Sequence, residues 1–309
     1  FDLDVLILDE ASMVDIFLMF MVLKATGDNT LLILTGDRYQ LASVNSGAVF
    51  TDICYIYENN QSVFVELQKN YRFSESSSLY KVSNAVKNGK LDTFFKSLKD
   101  EVEFVEIEKD ENPEKYFEHL KDYIDRTLEI FEKRSSELEI LDFFATFQVL
   151  SPFKKGKWSV EEINTYIENM LKKSSNLLEQ KKMFSKVIVT ENDYQNSVFN
   201  GDMGFVRFEY GAEYGFFMGA DRSVRKFNAR LLPKFEPAHC ITVHKSQGSE
   251  FDHVLFFTGV KESPILTREL LYTAITRARK SVKIIGSRSA IESSIKNSTK
   301  RNTMITTFD

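Results

Sequence analysis

Cysteine is scarce in this sequence. Cys54 and Cys240 are the two present in 309 residues, and they give neither a disulfide framework nor a metal-ligand spacing. A reduced, cytoplasmic setting fits best. Long apolar runs are missing as well: the longest, Ile16 to Leu23, is too short to cross a bilayer. The chain also lacks the basic opening of a signal peptide, and no membrane association is expected. No Gly-x-x-x-x-Gly-Lys-Ser/Thr loop for cradling phosphates occurs anywhere, and no nuclease constellation stands out. The small net charge of −5 argues against a generally adhesive polyanion binder. That average hides a split: residues 1–150 carry 15 Lys+Arg and 28 Asp+Glu, and residues 151–309 carry 25 and 17. The second half can therefore present a basic, phosphate-facing surface, although two oppositely biased solvated faces explain the charges equally well.

What is present begins with apolar runs that end in polar tips. Val5–Leu8 is followed by Asp9-Glu10, and Leu31–Leu34 by Thr35-Gly-Asp-Arg-Tyr-Gln40. Continuous apolar runs of this length read as doubly buried parallel strands, and ligands bind at their carboxyl ends. One helical stretch, 11–23, joins the two, making a βαβ unit whose tips would bring Asp9, Glu10, Asp37 and Gln40 together. Asp9 can hold Mg²⁺ through water while Glu10 orients and deprotonates an attacking water. Capping of the following helix is the alternative use for both carboxylates. Further along, Ala238–Phe251 alternates apolar and polar residues, then breaks into Ser246-Gln-Gly-Ser-Glu250, the pattern of a strand delivering ligand contacts at its tip. An ordinary turn between strands has the same pattern. The apolar strand Val254–Phe257 follows.

These stretches, taken in order, resemble the motifs of superfamily 1 helicases. Asp9-Glu-Ala-Ser12 resembles Walker B, and Gly36-Asp-Arg-Tyr-Gln-Leu-Ala-Ser-Val44 resembles motif III. Phe64–Phe73 looks like motif IV, Thr242–Phe251 like motif V and Leu271–Arg279 like motif VI. With Ser46-Gly-Ala-Val-Phe-Thr-Asp-Ile-Cys54, the form is most similar to the RecD type, the alpha subunit of exodeoxyribonuclease V. The resemblance implies ATP and Mg²⁺ as cofactors, DNA as track, 5′→3′ movement, a role in double-strand-break repair, and RecB- and RecC-like partners. It assigns catalysis to Glu10, Gln40, Arg72 and Arg277. Asp9, Gly36, Asp37, Tyr71, Gln247, Gly248 and Glu250 would line the nucleotide site, with Asp9 reaching the metal through water. Either arginine alone could equally be a surface ion-pair partner. The missing phosphate loop would lie upstream of Phe1, which opens inside an apolar pattern. The chain therefore reads as the carboxyl-terminal portion of a helicase.

The same resemblance points to DNA contacts at Thr190, Asn192, Thr242, His244 and Lys245. It also marks the Leu-Ser-Pro loop, with Ser151, Lys154 and Lys155. Lysines beside Trp158 suit a sugar-phosphate backbone with a stacked base, whereas a packed Trp158 with solvated lysines is the plainer alternative. For Thr190 and Asn192 strand-end hydrogen bonding is as good an account, and His244 suits a structural role. The implied fold class is α/β: RecA-like parallel-sheet motor domains, the first partial (1–62) and the second complete (63–198 and 238–309). Asn200-Gly201 opens a small SH3-like β insertion, 199–237. Residues 114–141 follow a helical stripe, and 99–108 alternate like a strand with an acidic outer face. Two other classes stay open: a non-hydrolysing DNA-binding or scaffold subunit, and a stand-alone or RNA-directed helicase.

Overall fold

The chain runs β1 (Val5–Leu8), α1 (Ile16–Ala25), β2 (Leu31–Leu34), α2 (Val49–Tyr57), α3 (Ser78–Lys87), α4 (Leu91–Lys96) and β3 (Val102–Glu106). It continues through α5 (Pro113–Phe117), α6 (Lys121–Glu132), α7 (Glu137–Thr146), β4 (Phe147–Ser151) and α8 (Val160–Ser174). Then come β5 (Phe184–Val189), β6 (Met203–Glu209), β7 (Ala212–Met218), β8 (Val224–Asn228), β9 (Phe235–Pro237) and β10 (Cys240–Thr242). Last are β11 (Phe251–Gly259), α9 (Arg268–Thr276), β12 (Ala278–Gly286) and α10 (Arg288–Lys296). This computed structural model describes residues 2–42, 47–67, 72–108, 112–133, 135–174 and 184–298. Two compact units result, one of Phe1–Asp100, Glu262–Thr276 and Ile291–Asp309, the other of Glu101–Lys261 and Arg277–Ala290. No helix among the described residues is long and apolar enough to cross a membrane.

In the first unit β1 and β2 pair in parallel, with Leu8 opposite Leu34. The doubly buried strands expected from sequence are buried on one face only. Leu8 and Leu34 pack with Val14, Met19 and Val49, while Val5 and Ile7 are 46% and 62% exposed. The physical reason is that the described residues of this two-stranded sheet supply apolar cover to one face. Helix α1 starts where the Asp15 side chain accepts from Leu18 N at 2.7 Å. It is apolar nearly all round, yet Met19 is its one buried residue, so most of its surface is of a kind made for burial. Helix α3, capped by Ser77, buries Leu79, Val82 and Val86, and α9 packs on it.

The second unit is built on a five-stranded sheet, β10-β4-β11-β12-β3, parallel throughout. Burial on both faces explains the uninterrupted Val254–Phe257 run and makes Cys240, Ile241 and Thr242 all buried, despite their alternating chemistry. The acidic-faced strand lies where 99–108 predicts it, as β3, with Glu103 exposed. The stripe across 114–141 is instead broken into α5, α6 and α7, the last opened by a capping box between Ser136 and Glu139. Beside this sheet's elements lies an antiparallel one, β8-β7-β6-β5-β9. Its tightest hairpin, Tyr210-Gly211, has positive φ at both residues (49° and 85°), as a two-residue type I′ turn requires. After β8 the Asn228 side chain accepts from Arg230 N and starts a short 3₁₀ turn over Ala229–Leu231.

Where β5 meets the parallel sheet, the second unit buries a polar cluster. Lys186 is fully buried, and its Nζ donates to Phe144 O, Phe147 O and Gln148 Oε1 at 2.8–3.0 Å. Gln148 Nε2 donates in turn to Ala238 O and His239 O. His239 Nδ1 meets the Tyr123 hydroxyl at 2.7 Å, while Nε2 is buried without a hydrogen-bond partner. Burial, with Lys186 nearby, pushes the His239 imidazole down to about 3. An unfolded imidazole takes up its proton near pH 6.5, so stability is lost as pH falls below that value, at about 1.4 kcal/mol per pH unit. His119 and His253 are shifted down less far, which makes a variant the way to isolate His239. Urea unfolding of His239→Gln is expected to show a shallower pH slope than the parent between about pH 6.5 and 5. Identical slopes would show that His239 does not contribute it.

Candidate nucleotide and nucleic-acid site

Parallel pairing sets the first group of residues. With Leu8 opposite Leu34, the next residues, Asp9 and Thr35, leave the two strands side by side. Thr35 Oγ1 donates to Asp9 Oδ1 at 2.5 Å, and Glu10 N donates to the same oxygen at 2.9 Å. Those two bonds hold the Asp9 carboxyl below its usual range, the threonine contributing most. Asp9 is therefore an ionised, oriented carboxylate. That suits one water-bridged contact to a divalent cation. Among the described residues no group of three or more acidic, His or Cys side chains forms a metal cage. A cation here would draw its remaining ligands from phosphate and water. Thr35 is the residue that sequence reasoning left without a role, because its place opposite Asp9 follows from the register of β1 and β2.

Glu10 adopts a left-handed backbone, φ 50° and ψ 36°, and its side chain caps nothing. A glutamate in this region carries about 1–2 kcal/mol of strain. The helix-capping alternative belongs to Asp15. Gly36 is enforced by packing, since a Cβ would lie 3.0 Å from the Phe50 ring and 3.1 Å from Ser12 N. Asp37 shapes the tip: it accepts from Tyr39 N at 2.9 Å and from Gln40 Nε2 at 3.2 Å. Leu41 N donates to Thr273 Oγ1 at 2.9 Å, and Arg72 Nη1 to Thr276 O at 3.0 Å. Residues 39–41 and Arg72 thus both reach α9. Arg38 lies over the rings of Tyr39, Tyr55 and Phe64 and pairs with Glu58 and Glu66. Tyr71 lies outside the described residues, as do Ser43 and Val44.

In the second unit Thr242 ends β10, and its hydroxyl accepts from Lys245 N at 3.3 Å. His244 and Lys245 sit on a 3₁₀ turn, partly exposed, and Lys245 Nζ pairs with Glu236 at 2.7 Å. Gln247 leaves the turn extended, Gly248 has φ +75° with open space about it, and Glu250 is exposed. Arg277 is 3% exposed, and Nη1 donates to Ser249 O at 3.1 Å. Its own carbonyl accepts from Phe251 N. Arg277 is therefore bonded on either side of Glu250, to Ser249 and Phe251, in the segment that carries the predicted Gln247, Gly248 and Glu250.

The remaining predicted contacts divide. Ser151 is buried, its hydroxyl donating to Trp158 O at 2.7 Å and accepting from Phe153 N; it shapes the loop. Lys154 and Lys155 are exposed on that loop. Trp158 is 2% exposed and stacks on Phe257, so the packing alternative holds for it. Thr190 Oγ1 donates to Lys234 O, and Asn192 Oδ1 accepts from Asn200 N. Both hydrogen-bond at a strand end, as the plainer reading has it.

Residues 2–109 match the AAA domain model and residues 237–285 the UvrD-like helicase C-terminal domain model. The Pif1 helicase from Bacteroides, solved with ADP-AlF3 and single-stranded DNA, aligns with a TM-score of 0.54 at 17% identity, covering 95% of this chain and 72% of that one. The fold is shared with that helicase: α/β, with parallel sheets of the RecA-like kind. More particularly, the chain is similar to RecD. It is 30% identical to the RecBCD enzyme subunit RecD of Buchnera aphidicola over 97% of its length, covering 56% of that protein. The ATP-dependent RecD2 DNA helicase of Deinococcus radiodurans is 25% identical over 93% of this chain, which covers 37% of the relative. The chain thus spans about half the length of the RecD subunits it matches.

Proposed function

We propose that this chain is part of an ATP-driven 5′→3′ DNA helicase, cytoplasmic, acting in double-strand-break repair and recombination beside RecB- and RecC-like subunits. The observation that carries this reading is the strained Glu10 beside an ionised, doubly hydrogen-bonded Asp9 at the tip of a parallel strand pair. In this reading Glu10 positions and deprotonates the attacking water, and Gln40 senses the γ-phosphate from the Asp37-shaped tip. Arg72 and Arg277 offset charge developing on the phosphoryl group. Asp9 would hold Mg²⁺ through water; that ion supplies charge neutralisation on ATP's phosphates. Gly36, Asp37, Tyr71, Gln247, Gly248 and Glu250 complete the nucleotide site. Lys154, Lys155, Thr190, Asn192, Thr242, His244 and Lys245 face the DNA strand, and the buried Ser151 shapes the loop that carries Lys154 and Lys155. The motor portions we assign are 1–62, then 63–198 with 238–309, and an inserted β subdomain, 199–237.

A second reading, a helicase working without such subunits, is favoured by the similarity to a relative named RecD2 DNA helicase. ATP hydrolysis by the full-length protein, with single-stranded DNA, RNA or neither, tests the proposal. Stimulation by DNA is expected, while the 309-residue chain alone hydrolyses almost no ATP. Absence of stimulation, with and without the partner subunits, would leave the scaffold reading.

A further inference from the structure

The loop between β5 and β6 displays two aromatic rings that the fold does not bury. Tyr194 is 78% exposed and Phe199 41%, with ring centroids 5.9 Å apart in an edge arrangement. Exposed rings on a loose loop would mean little, but this loop is firmly built. The Asp193 carboxylate accepts from Gln195 N, Asn196 N and Asn196 Nδ2. Asp193 and Val198 form a β-bridge, and Val198 is anchored in a core with Val187, Val189 and Phe217. Arg225 Nη1 donates to Ser197 O at 2.8 Å, and Asp202 Oδ2 accepts from Phe199 N at 2.8 Å. Asn192 links both flanks, donating to the Tyr194 hydroxyl and accepting from Asn200 N.

Preorganised aromatic faces in water are what unpaired bases stack on, without regard to sequence. We infer that Tyr194 and Phe199 form a base-stacking platform for single-stranded nucleic acid; this rests on the DNA-motor reading and adds to it a contact with bases. The local charges fix the character of the contact. Asp193 and Asp202 hold the loop together, and Glu191 pairs with Lys234 at 2.7 Å. The cations at this loop are held in local bonds, Arg225 on Ser197 O and Lys234 on Glu191, so the platform acts through stacking and its share of affinity is insensitive to salt.

The test is fluorescence anisotropy of labelled oligothymidylate binding to the full-length protein without nucleotide, comparing parent with Tyr194→Ala/Phe199→Ala. Both side chains are exposed, so the variant keeps its fold, checked by an unchanged unfolding midpoint. An affinity loss of roughly ten- to a hundredfold is expected. The loss should be the same at low and high salt, and absent on an abasic strand of equal length. Tyr194→Phe, retaining a ring, should restore most of it when Phe199 is kept. Parent binding with no loss in the double variant, or an equal loss on the abasic strand, overturns the platform. No binding by the parent sinks the DNA-motor reading itself.

Discussion

Glu10→Gln in the full-length protein is expected to lower DNA-stimulated ATP turnover by about 10²–10⁴-fold, the usual share of a positioned general base. The substitution keeps size and hydrogen-bonding capacity and removes the proton-accepting charge, so DNA affinity should be preserved. Glu10→Gly separates function from strain. Glycine accepts φ 50° without steric conflict, so this variant should be equally inactive yet more stable by about 1 kcal/mol in urea unfolding. Turnover within tenfold of the parent in Glu10→Gln would remove the base from this position. A Glu10→Gly variant less stable than the parent would mean the left-handed backbone is not held against its preference.

The second large effect belongs to Arg277. In the proposed function Arg277 offsets transition-state charge, and loss of such a group corresponds to about 10³–10⁵-fold in turnover. The structure adds a reason why lysine will not substitute. Arg277 Nη1 is bonded to Ser249 O, and a lysine ammonium, a point charge without the planar fork, does not reproduce that geometry. Arg277→Ala and Arg277→Lys are both expected to fall by more than a hundredfold in turnover. Lysine retaining most of the parent's activity would show that charge alone suffices. Loss of turnover only in proportion to lost folded protein, measured by circular dichroism, would reassign Arg277 to holding the turn.

How much of this was legible beforehand follows from what each residue depends on. The ends of β1 and β2 could be read because both strands are continuous apolar runs that stop at polar residues, with Asp9 and Glu10 after the first and Asp37 and Gln40 in the loop after the second. The bond from Thr35 to Asp9 could not, since it depends on cross-strand register, which sequence spacing leaves open. Trp158 beside three lysines has the composition of a stacking loop, but aromatic packing against Phe257 decides its place. Conversely, Tyr194 and Phe199 lie in a stretch that reads as a polar turn. Val198 between them is the residue the fold buries, and both rings are left exposed. The exposed faces of β1 and α1 depart from the doubly buried expectation because burial is a property of neighbours, which composition does not list.

The fully buried Lys186 has a consequence for how the protein could be taken apart or have been assembled. The antiparallel sheet reads as an inserted module, yet its strand β5 carries a lysine whose three donors end on α7 and β4. Cutting at the Asn200–Gly201 turn would leave β5 behind without β6 and open that cation's surroundings, while transplanting the whole sheet would carry an unpaired charge into its new host. The sheet is therefore no detachable cassette. A chimera that exchanges it between relatives has to exchange Gln148 and the end of α7 along with it.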